Sequence, residues 1–497
     1  MYRIKKFFST NLALIFSGAC LLSFFAFIQS VIPAFCDPDS YYHAAVSNLI
    51  KNSGLRYPFP WTEFSVFKNF FSDKDFLFHL CSVPFFYLTD SLIIAGKYAT
   101  IFYNVIFIAV YAFILRKHLP DFLAAIFLFL PVFSSTFIAY FFQFRSYTFS
   151  NILTLLAIYF MLNKRFAALF IVSLIYPLTH ISFFMLFPFV IICETIRFCV
   201  DKDFSLRNIY TVLIGVMLGM FIHPNFPGNF LSFHLNGVLV PFYTLTKVNM
   251  SFGGEFNSPL LSFAFVNNFP VFFAINFVLW CSLLAVKKYS LSTFVWLAVS
   301  NIYLLLSFSS NRYWYPVNVF FFVFLACYVK DLTQGMGRKT VLAGTAVFIG
   351  LFVAANLIIF PKAVGWIQEY IIYSSSRNSD YENAAYWMKR NIPERETIYH
   401  SSWADSPFFM CYNPKNKYIS VLDPIYMFYG YPKAFLIYQD LAAGRIERPY
   451  EPLREVFKVG YGYTRKTFPL YYQIIQDRKH FRIVWEDKTG IIFKLTQ

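Results

Sequence analysis

From Asn11 to Ile32 the chain runs without a charged side chain, and uncharged apolar runs of similar length recur as far as Phe360. Backbone N–H and C=O groups placed in lipid must be satisfied within the protein, so such runs fold as helices or closed barrels. Around 20 residues at a rise of about 1.5 Å each is the length of a helix that crosses the hydrocarbon. The first run follows Arg3, Lys5 and Lys6. It is longer than the apolar core of a signal peptide, and no small-x-small cleavage site follows it. An uncleaved first helix with its N-terminus inside is therefore expected, which places Asp37 outside.

Ten further spans are expected: Leu92 to Leu115, Phe122 to Tyr140, Tyr147 to Leu162, two legs of a hairpin within Phe166 to Cys199, Ile209 to Ile222, Val271 to Val286, Leu291 to Phe308, Tyr315 to Val329 and Val341 to Phe360. The hairpin is inferred because the Phe166 to Cys199 stretch is too long for one span and short for two, with Pro177 and His180 near its middle. The expected fold is a polytopic α-helical membrane protein with about eleven transmembrane helices and a C-terminal soluble mixed α/β domain. Residues 1–360 would form the membrane domain, with external loops at 33–91 and 223–269, and residues 361–497 an extracytoplasmic domain.

Composition agrees: 58% of residues are hydrophobic and only 14% charged, which is not the balance of a soluble protein. A net charge of +16 would suggest nucleic acid in a soluble chain. Here much of the basic charge falls in short loops, at Arg116-Lys117, Lys164-Arg165, Arg197, Lys202, Arg207, Lys287-Lys288, Lys330 and Arg338-Lys339, as expected of cytoplasmic loops. No basic stripe accompanies a soluble binding fold, so no nucleic-acid partner is expected. Eight cysteines include no CxxC pair. Cys36, Cys81 and Cys411 would face outside, where a disulfide between two of them is open.

The external segments collect ionisable residues close to apolar spans: Asp37, Asp39, His43, Arg145, His180, His223, His234, Glu255 and Arg312. Ionisable groups at membrane edges mark substrate paths. The CDPDSYYH stretch, Cys36 to His43, opens the first external loop. Its two acids either cap the helix that follows or serve as general base and cation ligand. Tyr41, Tyr42, Trp314 and Tyr315 lie near these groups in sequence and are candidates for stacking on a sugar. The histidines show no metal-binding spacing and read as hydrogen-bonded loop residues. Within 361–497, Asp380 to Lys389 has helical periodicity, and Thr397–His400, Tyr418–Leu422, Phe481–Glu486 and Ile491–Leu495 read as strands.

These motifs resemble those of the GT-C glycosyltransferases, polytopic enzymes that take sugar from a polyprenyl-phosphate carrier. Asp39-Ser40-Tyr41-Tyr42-His43 is similar to the Asp-Pro-Tyr-Tyr-His form of some oligosaccharyltransferases, with Ser40 in place of Pro. FRSYTFSN at Phe144 to Asn151 resembles an Arg-bearing external turn, and SSNRYWYP at Ser309 to Pro316 resembles the late external Arg aimed at lipid-linked phosphate. The resemblance implies Asp37 and Asp39 as catalytic groups. It implies Arg312, Arg145, His43 and Tyr42 as substrate or phosphate ligands, and Asp39 with Glu255 as holders of a divalent cation, Mg or Mn. Asn383 to Pro407 is similar to the stretch leading into the oligosaccharyltransferase WWD motif, but carries Trp403-Ala404-Asp405, which reads better as a core Trp and a capping Asp.

The expected activity is inverting transfer of a sugar from a polyprenyl-phosphate donor to a glycan, lipid or protein acceptor. It would take place on the extracytoplasmic face of a membrane, the inner membrane of a bacterium being favoured. Whole-glycan transfer to protein and flipping of lipid-linked glycans are the alternatives.

Overall fold

The computed structural model describes residues 2–246, 250, 252–284, 288–378 and 380–496. Lys287 of the expected cytoplasmic clusters lies outside the described residues, as do the side chains of Arg3, Lys5, Lys6 and Arg338. The chain divides into two compact units: Met1–Val31, Thr100–Ile222 and Gly254–Ile372 in the first, and Ile32–Ala99, His223–Gly253 and Tyr373–Gln497 in the second.

Six helices are long and apolar enough to cross a membrane, at Leu12–Val31, Leu92–Arg116, Ile181–Asp201, Leu291–Ser309, Asn311–Thr333 and Lys339–Ile359. Two helix pairs bent by 89° and 85°, Asp121–Phe133 with Ser135–Phe141 and Leu261–Asn267 with Phe269–Leu283, bring the number to eight. Three expected spans fold as the shorter helices Tyr147–Leu162, Phe166–Thr179 and Leu206–Phe221. At 14 to 16 residues these are about 21–24 Å long, against a hydrocarbon core of about 30 Å. The Phe166 to Cys199 stretch does break at His180, whose backbone is extended (φ −163°, ψ 145°).

In the first unit, the two bent pairs are joined at their breaks. Ser134 Oγ lies 3.0 Å from both the Asn267 carbonyl and Asn268 Oδ1, and Ser135 Oγ bonds Asn267 Oδ1. Asn318 Nδ2 donates to Asn268 Oδ1 at 2.9 Å. All five residues are buried. A break in a helix exposes backbone groups that lipid cannot satisfy, and short polar side chains at the break meet that need from within the protein.

The second unit is built on a five-stranded sheet ordered β2-β1-β3-β5-β4, with β1 Thr397–His400, β2 Lys417–Tyr418, β3 Tyr461–Arg465, β4 Phe481–Glu486 and β5 Gly490–Leu495. β1 runs parallel to β2 and β3, while β5 is antiparallel to β3 and β4. The segment after the first helix joins this sheet: Tyr418 N donates to Trp61 O at 2.8 Å, and Thr62 bridges Tyr418. The composition change at Pro361 falls inside the helix Arg338–Ile367. All eight cysteines are free, Cys36, Cys81 and Cys411 included.

Two histidines of this unit are held neutral. His400 Nδ1–H donates to Ser402 O at 2.7 Å, and Nε2 accepts from Ser420 N at 3.3 Å. His223 Nε2–H donates to Asp73 O at 3.1 Å, and Nδ1 accepts from Asn225 N at 3.1 Å. Burial lowers both pKa values, opposed in part by Asp405 near His400 and by Asp73 near His223. The unfolded chain takes up these protons near the usual value of about 6.5 and the folded chain resists them. Stability is thus complete above that pH and falls as pH drops below it, by up to about 1.4 kcal/mol per pH unit per histidine. Thermal melting at pH 7.5 and pH 5 is expected to show the drop, and His400→Gln to reduce it; a wild-type midpoint that does not move would contradict it.

Candidate active site

Asp37 initiates the helix Pro38–Ser53. Its backbone is extended, Pro38 fills the first helical position, and its carboxylate accepts from Ser40 N at 3.1 Å and from Ser40 Oγ. That is an N-cap, and Asp37 is buried. Asp39 lies in the first turn, where a carboxylate also complements the positive end of the helix dipole. His43 follows four residues later on the same face.

His43 leads into a buried chain that the sequence reading missed. Its Nδ1 is 2.7 Å from His79 Nε2, and His79 Nδ1 is 2.7 Å from Asp73 Oδ2. Asp73 Oδ2 also accepts from Tyr57 OH at 3.3 Å, and its Oδ1 accepts from Asp75 N at 3.1 Å. His43, His79 and Asp73 are at most 3% exposed. The Asp73 carboxylate accepts from His79 Nδ1–H, so His79 Nε2 is left to accept from His43 Nδ1–H. A proton gained by His43 at Nε2 can shift its Nδ1 proton to His79, forming an imidazolium beside the Asp73 carboxylate. The available signal was His79 on the apolar helix Phe76–Phe86, one turn after Asp75.

In the first unit Arg145, Glu255 and Arg312 come together. Arg145 grips Glu255 with two hydrogen bonds, Nη1 to Oε2 at 2.8 Å and Nη2 to Oε1 at 3.1 Å, and lies over the Tyr147 ring. Tyr147 OH donates to Glu255 Oε1 at 3.3 Å. Arg312 lies 4.3 Å from the Phe256 ring centre. Ser310 Oγ donates to Glu255 O at 2.8 Å, and Asn311 N to Asn257 O at 3.1 Å, which fixes the two loops against each other. Burial by itself would raise the Glu255 carboxyl, but Arg145, its hydrogen bonds and Arg312 hold it below the usual carboxylate value. Arg145 is paired with the Glu255 carboxylate and Arg312 lies in its field, which leaves one positive charge in excess. Arg312 Nε is buried with no hydrogen-bond partner among the described residues.

The proposed stacking aromatics are packed instead. Trp314 is 0% exposed against Phe272 and Phe308, and Tyr315 stacks on Tyr140. Tyr41 meets Phe408, and Tyr42 is buried edge-on to the His43 ring. His180 bonds Ser182 Oγ, and His234 is exposed. Asp405 stands at the N-cap position of the helix Ser406–Tyr412, but its side chain makes no capping hydrogen bond: it pairs with Arg465 Nε at 2.9 Å and accepts from Tyr381 OH at 3.0 Å.

Neither a family profile nor a curated protein matches the sequence. Solved structures do match. The apo oligosaccharyltransferase of Archaeoglobus fulgidus aligns with TM-score 0.60 at 12% identity, over 90% of this chain and 69% of that one. ArnT from Cupriavidus metallidurans, bound to undecaprenyl phosphate, aligns with TM-score 0.60 at 12% identity, over 96% and 97%. The arabinofuranosyltransferase AftD from Mycobacteria aligns with TM-score 0.55 at 11% identity, over 97% of this chain and 40% of that one. The chain has the GT-C fold. The GT-C archaeal oligosaccharyltransferase has also been solved with Zn and sulfate. In this chain no three His, Cys, Asp or Glu residues gather as a metal site among the described residues, and both Glu255 oxygens are engaged by Arg145. The Glu255 carboxylate is thus taken up by Arg145.

Proposed function

We propose that the protein is an integral membrane glycosyltransferase that moves a single sugar, with inversion, from a polyprenyl-phosphate donor to a hydroxyl of a glycan, lipid or protein acceptor. The observation that carries this reading is the cationic cluster around Arg312. A guanidinium with a buried, unsatisfied Nε beside a neutral Arg–Glu pair, so that the three groups together carry one positive charge, suits a phosphate, which accepts two parallel hydrogen bonds. In this reading Arg312 binds the donor phosphate, and Arg145, oriented by Glu255 and Tyr147, adds charge. As the bond from the anomeric carbon to the phosphate oxygen breaks, the arginines stabilise the charge that develops on the leaving group.

The acceptor hydroxyl attacks the anomeric carbon and gives its proton to Asp39. His43 takes it on and passes charge to His79 beside Asp73, which restores the base. The proton thus stays within the protein until solvent removes it. Asp37 acts here by building the helix that carries Asp39 and His43.

The three short helices complete eleven crossings in this reading, with the N-terminus cytoplasmic and the C-terminal domain, residues 361–497, extracytoplasmic. A bacterial inner membrane is the proposed location. Whole-glycan transfer to a peptide is less supported, since Asp405 is fully buried on Arg465. The undecaprenyl phosphate on ArnT and the dolichol-phosphate on the archaeal oligosaccharyltransferase name the class of donor to try.

The test is binding of undecaprenyl phosphate to the full-length protein in nanodiscs, followed by native mass spectrometry. Arg312→Ala is expected to weaken binding about tenfold or more, the value of charge-assisted hydrogen bonds. Arg312→Lys is expected to recover little of it, because an ammonium lacks the planar fork. Unchanged binding in both variants would remove Arg312 from the donor site.

A further inference from the structure

The helix Pro38–Ser53 has a second polar face. Asn48 follows Asp39, and Asn52 follows His43, by nine positions, about two and a half turns, so each pair leaves the helix on opposite sides. Asn48, Lys51 and Asn52 form a stripe at helical spacing. The helix Asp380–Asn391 presents a matching stripe, Glu382, Tyr386 and Lys389, at i, i+4 and i+7. Both stripes line one cavity of about 670 Å³ within the second unit, together with Asp90 and Tyr412. That size is within the roughly 300–1,000 Å³ of small-molecule sites.

The lining specifies a chemistry. Two lysines face two carboxylates, so the cavity carries no net charge and has no preference for a polyanion or a phosphate. Asn48 and Asn52 add side-chain amides that both donate and accept. Tyr386 is 41% exposed, with its ring edge-on to Tyr412 at 5.9 Å between centroids. An accessible aromatic face among paired donors and acceptors suits vicinal hydroxyls and the C–H face of a sugar ring. The wall is also held in place: Lys51 Nζ donates to Phe86 O at 2.7 Å and lies over the Tyr87 ring.

We propose that this cavity, on the side of the helix opposite Asp39 and His43, is a second site that binds a neutral saccharide. The saccharide is either a free glycan or the head of a glycolipid. The site stands apart from the transfer reaction and does not depend on it.

The experiment is an array of neutral, acidic and phosphorylated oligosaccharides probed with the full-length protein in nanodiscs, each glycan printed free and on a short lipid. Capture of a neutral oligosaccharide is expected, reduced at least about fivefold by Tyr386→Ala and retained by Tyr386→Phe, which keeps the ring. Asn52→Ala, at an exposed position, provides a second variant should Tyr386→Ala fold poorly, and is also expected to weaken capture. Preference for the free or the lipid-borne form identifies the source. No capture of any neutral glycan, capture that all three variants leave unchanged, or capture confined to acidic or phosphorylated glycans would overturn the proposal.

Discussion

Asp39→Asn is expected to abolish sugar transfer while the protein folds and inserts at wild-type level. Asparagine has the shape of aspartate and remains acceptable in a first helical turn, so the loss would report the missing base. General-base catalysis contributes about 10²–10⁴ in rate, and the residual rate should fall by that factor. Asp37 provides the control. Asn serves an N-cap about as well as Asp, so Asp37→Asn is expected to retain activity, whereas Asp37→Ala costs about 1 kcal/mol of stability. Behind Asp39, His79→Ala is expected to slow transfer and alter its pH profile, a change that loss of packing alone would not produce. The measurement is transfer from a polyprenyl-phosphate sugar by purified protein, alongside thermal melting. An active Asp39→Asn protein would exclude Asp39 as the base, and an inactive, fully stable Asp37→Asn protein would move that role to Asp37.

Asp405→Ala is expected to produce the largest loss of stability. Asp405 is 0% exposed and receives Arg465 through Nε and Nη2 as well as the Tyr381 hydroxyl. Removing it leaves a guanidinium, with only 29% of its side chain exposed, without its counter-charge. Breaking a buried pair from one side costs about 3–5 kcal/mol. Replacing both partners with apolar residues, Asp405→Leu with Arg465→Met, should cost less than Asp405→Ala alone, because no charge is then stranded. Chemical denaturation of the full chain in detergent would show this order. A double variant no better than Asp405→Ala would mean that the pair is valued for shape and hydrogen bonding beyond its charge.

Arg145 and Glu255 illustrate what sequence pattern cannot see. They lie 110 positions apart, and no local periodicity links them. Topological reasoning could place both outside the membrane, but only folding brought the Glu255 carboxylate onto Arg145 as a two-hydrogen-bond ion pair. Asp73 and His79 were passed over for a related reason. His79 lies in a short apolar helix whose hydrophobicity points to packing, and its meaning comes from His43, 36 positions away. The central strand β3 was missed as well, since Gly460 and Gly462 give it the look of a turn. Gly462 is there because the Phe493 ring covers it so closely that a β-carbon would collide.

The sequence by itself determined the class of solvent. Uncharged runs near the length of a bilayer crossing must become helices, because lipid offers the backbone no hydrogen bonds. It also determined the helix that begins at Asp37, where an acid, a proline and a serine within four positions satisfy the first turn locally. Tertiary structure decided which acids are ion-paired, which aromatics are core, and which histidines are hydrogen-bonded to each other. Those outcomes depend on contacts between distant segments, whose burial and charge pairing exist only once the chain has folded.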